Sequence, residues 1–396
     1  MGKYNFDEII DRRGSGCIKY DGLEQEKGRN DLLPMWVADM DFKTPDFIVD
    51  ALRKRIDHPV FGYPVTPPDY YETISSWVRD VHSWDVRPSW LTYIPGIVKG
   101  IGFVLDCFCS PGDKVVIQPP VYHPFRIVPE KHKLQVVNNP LKPVFSEGGR
   151  GPLYGYKMDF DHLEKVIDEK TKVLILSNPH NPAGQCWDKD TLVTLAKITS
   201  SKGVIVISDE IHCEMLLNGK QHIPYASVCP EAAQNSITFM SPSKTFNIAG
   251  IVSSYAVVPN DFLREKFFNY LDADELNYPP IFSVVATQAA YRNGKEWRKE
   301  MLDYVKANVD YVEDFLKENI PSVRCVRPQA SFLVWLDCRG LGLTQEKLVS
   351  LFENKAHLEL NDGSMFGLQG TGFMRLNVGC PRKVLEEAMR RLQAAL

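Results

Sequence analysis

A lysine stands directly after a short apolar run, in the segment Ser241-Pro-Ser-Lys-Thr-Phe246. Most lysines are solvated surface residues, and that is also the ordinary interpretation of Lys244. A lysine amine that is removed from water, however, loses its proton more readily and attacks an aldehyde. The hydroxyls of Ser241 and Ser243 flank this lysine and are suited to binding phosphate oxygens. The cluster therefore indicates an amine nucleophile beside an anion site.

A carboxylate, Asp209, follows the apolar run at residues 204–207. An aspartate at such a place often caps a following helix. Its functional interpretation is that it pairs with a ring nitrogen of a cofactor, because an anion there favours the protonated ring, which stabilises a carbanion. About one helix and one strand fit between Asp209 and Lys244, so the spacing predicts that both side chains reach the same edge of a sheet.

Two turns and one helix start supply further polar groups. Two X-Pro bonds and a glycine make Asn178-Pro-His-Asn-Pro-Ala-Gly184 a rigid turn, which is either purely structural or aims the Asn181 amide at a phenolic oxygen. Tyr122 lies between prolines and either packs in the core or stacks over a planar ring. The segment at residues 94–99 begins an apolar helix with a glycine, and its free backbone N–H groups are suited to holding an anion.

The elements that must position these groups are short apolar runs alternating with amphipathic stretches, a pattern typical of parallel strands linked by helices. The runs are at residues 115–118, 173–176, 204–207, 237–240 and 254–258. In an open α/β sheet ligands bind beyond the carboxyl ends of the strands. The polar clusters that follow four of these runs are therefore expected to face one crevice; they are at residues 119–124, 178–184, 209–212 and 241–246.

The length of 396 residues and a change of pattern after residue 285 predict two domains. We expect a large domain at residues 48–285 with a mostly parallel sheet. A smaller α/β domain is expected at residues 286–396, joined by the N-terminal segment 1–47, which packs against it or against the crevice. The Gly- and Pro-rich stretch at residues 140–155 indicates a surface excursion, such as a hairpin.

Composition and charge exclude several classes of protein. The formal net charge is −4 and no dense basic block occurs, so neither nucleic acid nor an acidic membrane is an expected partner. The charged N-terminus is not a secretory signal, and the best apolar segment, residues 97–108, is interrupted by Lys99 and Asp106. The nine cysteines contain no C-x-x-C pair and indicate a reducing cytoplasm.

The ordered set of three motifs resembles the fold-type I pyridoxal-phosphate (PLP) enzymes of the class I/II aminotransferase superfamily. The motifs are Asn178-Pro-His-Asn-Pro-Ala-Gly184, Ser208-Asp-Glu-Ile-His212 and Ser241-Pro-Ser-Lys-Thr-Phe246. Within that superfamily, the segments at residues 33–42, 63–64 and 373–378 resemble the MalY/PatB-type carbon–sulfur β-lyases. The resemblance extends from about residue 33 to residue 381.

The resemblance implies a role for each site residue. Lys244 would form the Schiff base with PLP, Asp209 would bind the pyridine nitrogen, and Asn181 the phenolate oxygen. Tyr122 would stack on the ring and take part in catalysis. The phosphate would be held by Ile97, Val98, Ser241 and Ser243, and by Tyr63 from the neighbouring subunit of a homodimer; Arg375 would bind the substrate α-carboxylate, with Val37 also in the substrate site.

Two positions depart from the pattern of many aminotransferases. Val252 stands where they have an arginine eight residues after the lysine, an absence that fits the lyase branch. His212 stands where they have a tyrosine three residues after the aspartate. A neutral imidazole suits both a hydrogen bond near the phenolate and a packed structural position, so the two interpretations of His212 are equally open.

The activity implied is β-elimination on a cysteine-type amino acid such as cystathionine, yielding pyruvate, ammonia and a thiol. Lys244, once freed from the cofactor, would remove the α-proton as general base. An aminotransferase acting on an amino acid and a 2-oxo acid is the nearest alternative. A non-enzymatic, PLP-holding regulatory protein is the alternative of another class, although the combination of Lys244, Asp209 and Arg375 argues against it.

Overall fold

The computed structural model describes residues 2–146, 151–217, 219 and 221–396. The strands in these ranges are β1 Leu33–Pro34, β2 Leu91–Ile94, β3 Lys114–Ile117, β4 Gln135–Asn138, β5 Lys142–Phe145, β6 Leu153–Lys157, β7 Thr171–Ser177, β8 Ile205–Asp209, β9 Ser236–Met240, β10 Ser254–Val257, β11 Arg324–Val326, β12 Leu333–Asp337, β13 Leu358–Glu359, β14 Asn361–Asp362 and β15 Phe373–Asn377. The α-helices are α1 Leu23–Lys27, α2 Asp46–Ile56, α3 Tyr70–His82, α4 Ile97–Phe108, α5 Pro124–Lys131, α6 Phe160–Val166, α7 Lys189–Ser201, α8 Pro230–Gln234, α9 Asp261–Ala273, α10 Ile281–Asn293, α11 Lys295–Asn319, α12 Gln345–Ser350 and α13 Arg382–Ala395.

The large sheet has seven strands in the order β2-β10-β9-β8-β7-β3-β4. The five strands from β9 to β4 run parallel, which confirms the predicted, mostly parallel sheet. Four of the five apolar runs are parallel strands, but the run at 254–258 is not: β10 is antiparallel to both β9 and β2. The physical reason is the short connection from β9 to β10, which holds no full crossover helix, and only an antiparallel return needs none.

Helices cover both faces of this sheet, which explains why its central strands have apolar side chains on both faces. Along β7, Val173 and Ile175 belong to a core cluster that includes residues of α4 and α9. Their neighbours Leu174 and Leu176 belong to a second cluster, with residues of α6 and α7. Successive side chains of a strand point to opposite faces, so β7 packs against both helix layers.

The C-terminal part contains a second sheet, with the antiparallel order β11-β12-β15-β14. The long helix α11 packs on β11 and α13. The N-terminal segment joins this part, because β1 pairs in parallel with β13. The smaller α/β unit is therefore confirmed, whereas the bounds at residues 48 and 285 stay predictions.

The Gly- and Pro-rich stretch forms the expected hairpin, in which β5 and β6 pair antiparallel. Residues 147–150, between the two strands, lie outside the described residues. In the described part of the chain, no helix is both long enough and apolar enough to cross a bilayer.

Candidate functional site

The polar clusters lie at the carboxyl ends of adjacent strands. Asp209 is the last residue of β8, and the turn with Asn181 follows β7 directly. The segment with Lys244 follows β9, and the prolines before Tyr122 follow β3. Since β3, β7, β8 and β9 are parallel, these clusters meet at one edge of the sheet, as the spacing predicts. No helix begins after Asp209, so the helix-cap interpretation is wrong: its Oδ1 accepts a hydrogen bond from the N–H of Ile211 within a turn.

The Lys244 amine lies inside this crevice and donates a hydrogen bond of 2.6 Å to the carbonyl of Ala38. The pKa of Lys244 is lowered to about 8, mainly by burial and also by the charge of Arg375. The charges of Asp39 and Asp209 act in the opposite direction. Roughly a tenth of the amines is then neutral at pH 7, against a negligible fraction for an ordinary lysine. The amine is prepared to act as a nucleophile or a base.

Asp209 is a buried carboxylate that forms no ion pair with the residues that the structure describes. Its side chain is 7% exposed, and burial raises its pKa to about 7. The hydrogen bond from Ile211 and the charge of Lys244 favour the anion, but they offset only part of the cost of burial. A protonated ring nitrogen next to Asp209 would stabilise the anion further, because opposite charges attract strongly in a dry site.

Arg375 projects from β15 and is buried at 4% exposure. Its Nη1 donates to the Asn181 Oδ1 at 3.0 Å, and its Nη2 donates to Asn361 and to the carbonyl of Trp36. Its Nε has no partner among the described residues, and no carboxylate forms an ion pair with it there. Burial lowers the pKa of Arg375 to about 10. A buried guanidinium that is oriented by neutral groups is a binding site for an anion.

His212 is buried beside these charges. Its ring lies edge-on to Phe332, and its Nδ1 has no partner in the described part of the chain. Burial lowers the pKa of His212 to about 3, and the nearby Lys244 and Arg375 lower it too. The imidazole is therefore neutral, as both interpretations of this residue require, and the choice between them stays open.

The expected phosphate end combines a helix start with hydroxyl groups. Helix α4 begins at Ile97 after Gly96, whose φ of +112° favours glycine, and the first N–H groups of a helix have no partner within the helix. Ser241 donates to the Ser243 Oγ at 2.9 Å and is 1% exposed. The Ser253 Oγ is also buried, and it has no partner among the residues described.

Val252, which stands in place of an arginine, adopts a backbone conformation that is unusual for a β-branched residue. Its φ is +60°. Its carbonyl accepts hydrogen bonds from the Tyr93 hydroxyl at 3.0 Å and from the Ser283 hydroxyl at 3.1 Å. The chain is thus fixed here by backbone contacts, and the phosphate donors must come from other residues.

The N-terminal strap, residues 36–42, closes one side of the crevice. Asn377 holds it by donating to the carbonyls of Val37 and Asp39 at 2.6 and 2.7 Å. Arg12 forms ion pairs of 2.7 Å with Asp39 and with Asp41. Val37 therefore lies near Lys244 in space, because the carbonyl of the next residue, Ala38, accepts a hydrogen bond from the Lys244 amine. The sequence pattern indicated a crevice position for this segment, but it gave no signal for the roles of Ala38, Asn361 and Asn377.

The two aromatic residues of the predicted site differ in their surroundings. Tyr122 is half-buried, with its ring edge-on to His123 and Phe125, and burial raises its pKa. Tyr63 is fully exposed in the single chain and forms no hydrogen bond with the described residues. A single copy of the chain therefore does not bring Tyr63 into the crevice.

A large cleft lies elsewhere, between the hairpin β5–β6, α11 and β11. Its volume is about 1220 Å³, and Tyr156, Trp187 and Leu316 are among its lining residues. None of the predicted site residues lines it. The chemistry is therefore assigned to the crevice on the basis of its side chains rather than on the basis of cavity size.

Comparison with known proteins adds a family and named relatives. A model of the family described as aminotransferase class I and II matches residues 30–392. Cystathionine beta-lyase PatB of Bacillus subtilis is 39% identical over 393 residues, covering 99% of this chain and 100% of PatB. Protein MalY of Escherichia coli is 31% identical over 396 residues, which is 99% of each chain. The solved structure of a PLP-bound C-S lyase from Staphylococcus hominis is 34% identical, with a TM-score of 0.90, and covers 99% of this chain and 98% of that one.

Proposed function

The chain belongs to the aminotransferase class I and II family, and we propose that it is a PLP-dependent carbon–sulfur β-lyase that converts cysteine-type amino acids to pyruvate, ammonia and a thiol. The family match and the relatives confirm the predicted resemblance to the MalY/PatB-type lyases and the predicted fold type. The observation that carries the proposal is the convergence of Lys244 and Asp209, at one edge of the large sheet, with Arg375, which reaches the same crevice from β15 of the second sheet. The chain is also 39% identical to a cystathionine beta-lyase over its full length.

The residues of the crevice fit PLP. Among the described residues, the buried carboxyl group of Asp209 has no cation bonded to it, and the buried hydroxyl of Ser253 has no partner. The start of α4 supplies free N–H groups for a phosphate. When bound, PLP supplies an electron sink that stabilises negative charge at the substrate α-carbon. Lys244 would hold it covalently, Asn181 and Tyr122 would contact its ring, and Ile97, Val98, Ser241, Ser243 and His212 would line its site.

Arg375 would bind the α-carboxylate of the substrate through N–H groups in the plane of its guanidinium group, including the Nε–H that has no partner among the described residues. Asn181, Asn361 and the Trp36 carbonyl fix that group without neutralising it. The substrate carboxylate would supply the negative charge that balances the buried guanidinium. Substrates without an α-carboxylate are expected to be poor for this reason, and Val37 would contact the substrate from the strap.

Lys244 would move the proton from the substrate α-carbon. Its pKa of about 8 leaves a useful neutral fraction near pH 7, and the conjugate acid is still strong enough to return the proton. The hydrogen bond to the Ala38 carbonyl holds the amine in the crevice. Loss of the β-substituent as a thiolate needs little acid assistance, because thiols are good leaving groups.

The experiment is a steady-state assay with cystathionine and another S-substituted cysteine. Pyruvate and free thiol are measured together for the wild type and for Lys244→Ala. We expect equal amounts of both products with the wild type and none above background with the variant. Formation of a new amino acid from an added 2-oxo acid, without pyruvate, would instead establish the aminotransferase alternative. Retained cofactor absorbance without either activity would establish the non-enzymatic one.

We infer that the chain acts as a homodimer in which Tyr63 completes the neighbouring site. The support is a group of exposed apolar side chains around it, which is typical of an interaction surface. Its members are Ile56, Val60, Phe61, Val65 and Phe282. Mixing the inactive Lys244→Ala protein with a weakened Tyr63→Phe protein tests this, because a hybrid dimer contains one site with both native residues. Activity of the mixture no higher than the sum of its parts would contradict the shared site.

We also propose that the protein resides in the cytoplasm. No disulfide bond joins cysteines among the described residues, and a reducing compartment maintains that state. Fractionation of cells that express the tagged chain is the measurement, and recovery of the protein outside the cytoplasmic fraction would contradict it.

A further inference from the structure

A buried cluster of metal-binding side chains lies outside the crevice, where the end of α3 meets the turn after β8. It consists of His82, Cys213 and Glu214, and their ligand atoms all lie within 4.8 Å of one another. These side chains are 4%, 1% and 1% exposed. None of them has a role in the proposed lyase chemistry.

Several polar atoms of this cluster lack partners. Neither ring nitrogen of His82 has a hydrogen bond to the described residues, and neither does the Glu214 Oε2. The other carboxylate oxygen of Glu214 accepts from the Trp77 Nε1 at 2.8 Å and from the Tyr291 hydroxyl at 3.1 Å. Because these two donors fix the carboxylate, its free oxygen stays with the cluster. Unpaired buried polar atoms are costly, so a ligand that satisfies them would stabilise the fold.

The donor set of the cluster is suited to a divalent cation. A neutral imidazole offers a lone pair, and a metal ion stabilises the anionic forms of a thiol and a carboxyl group. Arg298 is a positive group near the cluster, and it donates to the Glu214 backbone carbonyl at 2.6 Å. Glu210 is an acidic residue of the same turn, and its Oε2 lies 2.6 Å from the His222 Nε2.

We propose that His82, Cys213 and Glu214 bind a zinc ion, or another thiophilic divalent cation, with a fourth position open to water. Imidazole nitrogen, thiolate sulfur and carboxylate oxygen are all zinc ligands, with bonds of about 2.0–2.3 Å. Tetrahedral bonds of that length place ligand atoms roughly 3.3–3.7 Å apart, so the side chains would close around the ion by about 1 Å. The ion would connect α3 to the turn after β8. This turn contains His212 and follows Asp209, the last residue of β8.

The test measures metal binding directly, without reference to catalysis. The PLP-loaded wild type and Cys213→Ser are purified from zinc-supplemented cultures, so that the ion is present while the protein folds, and their zinc content is measured after dialysis against a chelator of known affinity. Cys338→Ser is the matched control, because Cys338 is also buried but lies after β12 in the smaller unit. His82→Gln is a second variant that removes a different ligand.

We expect one zinc ion per chain in the wild type and in Cys338→Ser. Cys213→Ser and His82→Gln are expected to bind zinc at least about 100-fold more weakly. X-ray absorption should show one sulfur at about 2.3 Å from zinc in the wild type and none in Cys213→Ser. Two results would overturn the proposal: no zinc in the wild type above the chelator-washed background, in which case buried water satisfies the polar atoms, or equal zinc content in wild type and Cys213→Ser.

Discussion

Replacement of Arg375 by Gln separates a substrate-binding role from a structural one. Burial moves the pKa of Arg375 from an ordinary value near 12.5 to about 10, which corresponds to roughly 3 kcal/mol of unfavourable free energy for the charged form. A substrate carboxylate that binds Arg375 recovers a comparable amount. Arg375→Gln is therefore expected to lower kcat/KM about 100-fold, mainly through a higher KM. The free energy of unfolding without substrate should stay the same or rise, because an uncompensated buried charge is removed.

The assay is pyruvate release at a series of cystathionine concentrations, combined with urea unfolding of the same preparations. Arg390→Gln is the matched control, since Arg390 lies at the surface of the same unit and its exposed pair with Glu387 contributes less than about 1 kcal/mol. Arg375→Lys should fall between wild type and Arg375→Gln, because it keeps the charge and loses the planar fork. An unchanged KM in Arg375→Gln together with a large loss of stability would refute the reasoning.

Three further predictions concern the other charged groups. Asp209→Asn should retain cofactor absorbance but lose about 100- to 1000-fold in kcat, because an amide does not hold a ring nitrogen protonated; an activity within 10-fold of wild type would contradict this. Arg12→Gln should lower the free energy of unfolding by about 2 kcal/mol, since it removes one ion pair each from Asp39 and Asp41 and leaves them with Lys19, which is 3.9 Å from Asp39 and 2.7 Å from Asp41. The exposed Arg13→Gln should change it by less than about 0.5 kcal/mol, and equal effects of the two variants in urea unfolding would contradict a stabilising role of Arg12 in the strap. Between pH 8 and 10.5 the unfolded chain binds more protons at Lys244 than the folded cofactor-free protein does. The free energy of unfolding of the wild type should therefore rise with pH relative to that of Lys244→Met, by at most about 3 kcal/mol. Equal pH dependence of the unfolding free energy in the two proteins would contradict the lowered pKa of Lys244.

The chemistry at the ends of parallel strands was predictable because it is local in the sequence. Asp209 and Lys244 each follow a β-branched apolar run, and a parallel sheet places such positions at a single edge. The rigid turn around Asn181 was also identified from its prolines and glycine. The direction of β10 was predicted wrongly, because an apolar run shows burial and not orientation; the short connection after β9 was the available signal.

The contacts that tune the site are between residues far apart in the chain, and no local pattern encodes them. The Ala38 carbonyl reaches Lys244 because β1 pairs with β13 and thereby places the N-terminal strap. Asn361 orients Arg375 because β14 and β15 are neighbouring strands with these two residues in register. Tyr63 shows a different limit, since its expected role depends on a second copy of the chain.

Locating the covalent bond between cofactor and protein tests whether the Lys244 amine is the group that binds PLP. The purified protein is incubated with PLP, reduced with borohydride, digested and analysed by mass spectrometry. We predict that the yellow absorbance disappears on reduction and that one reduced adduct maps to Lys244. A colourless protein after incubation, or an adduct on a different lysine, would contradict the central claim that the Lys244 amine is the reactive group of the crevice.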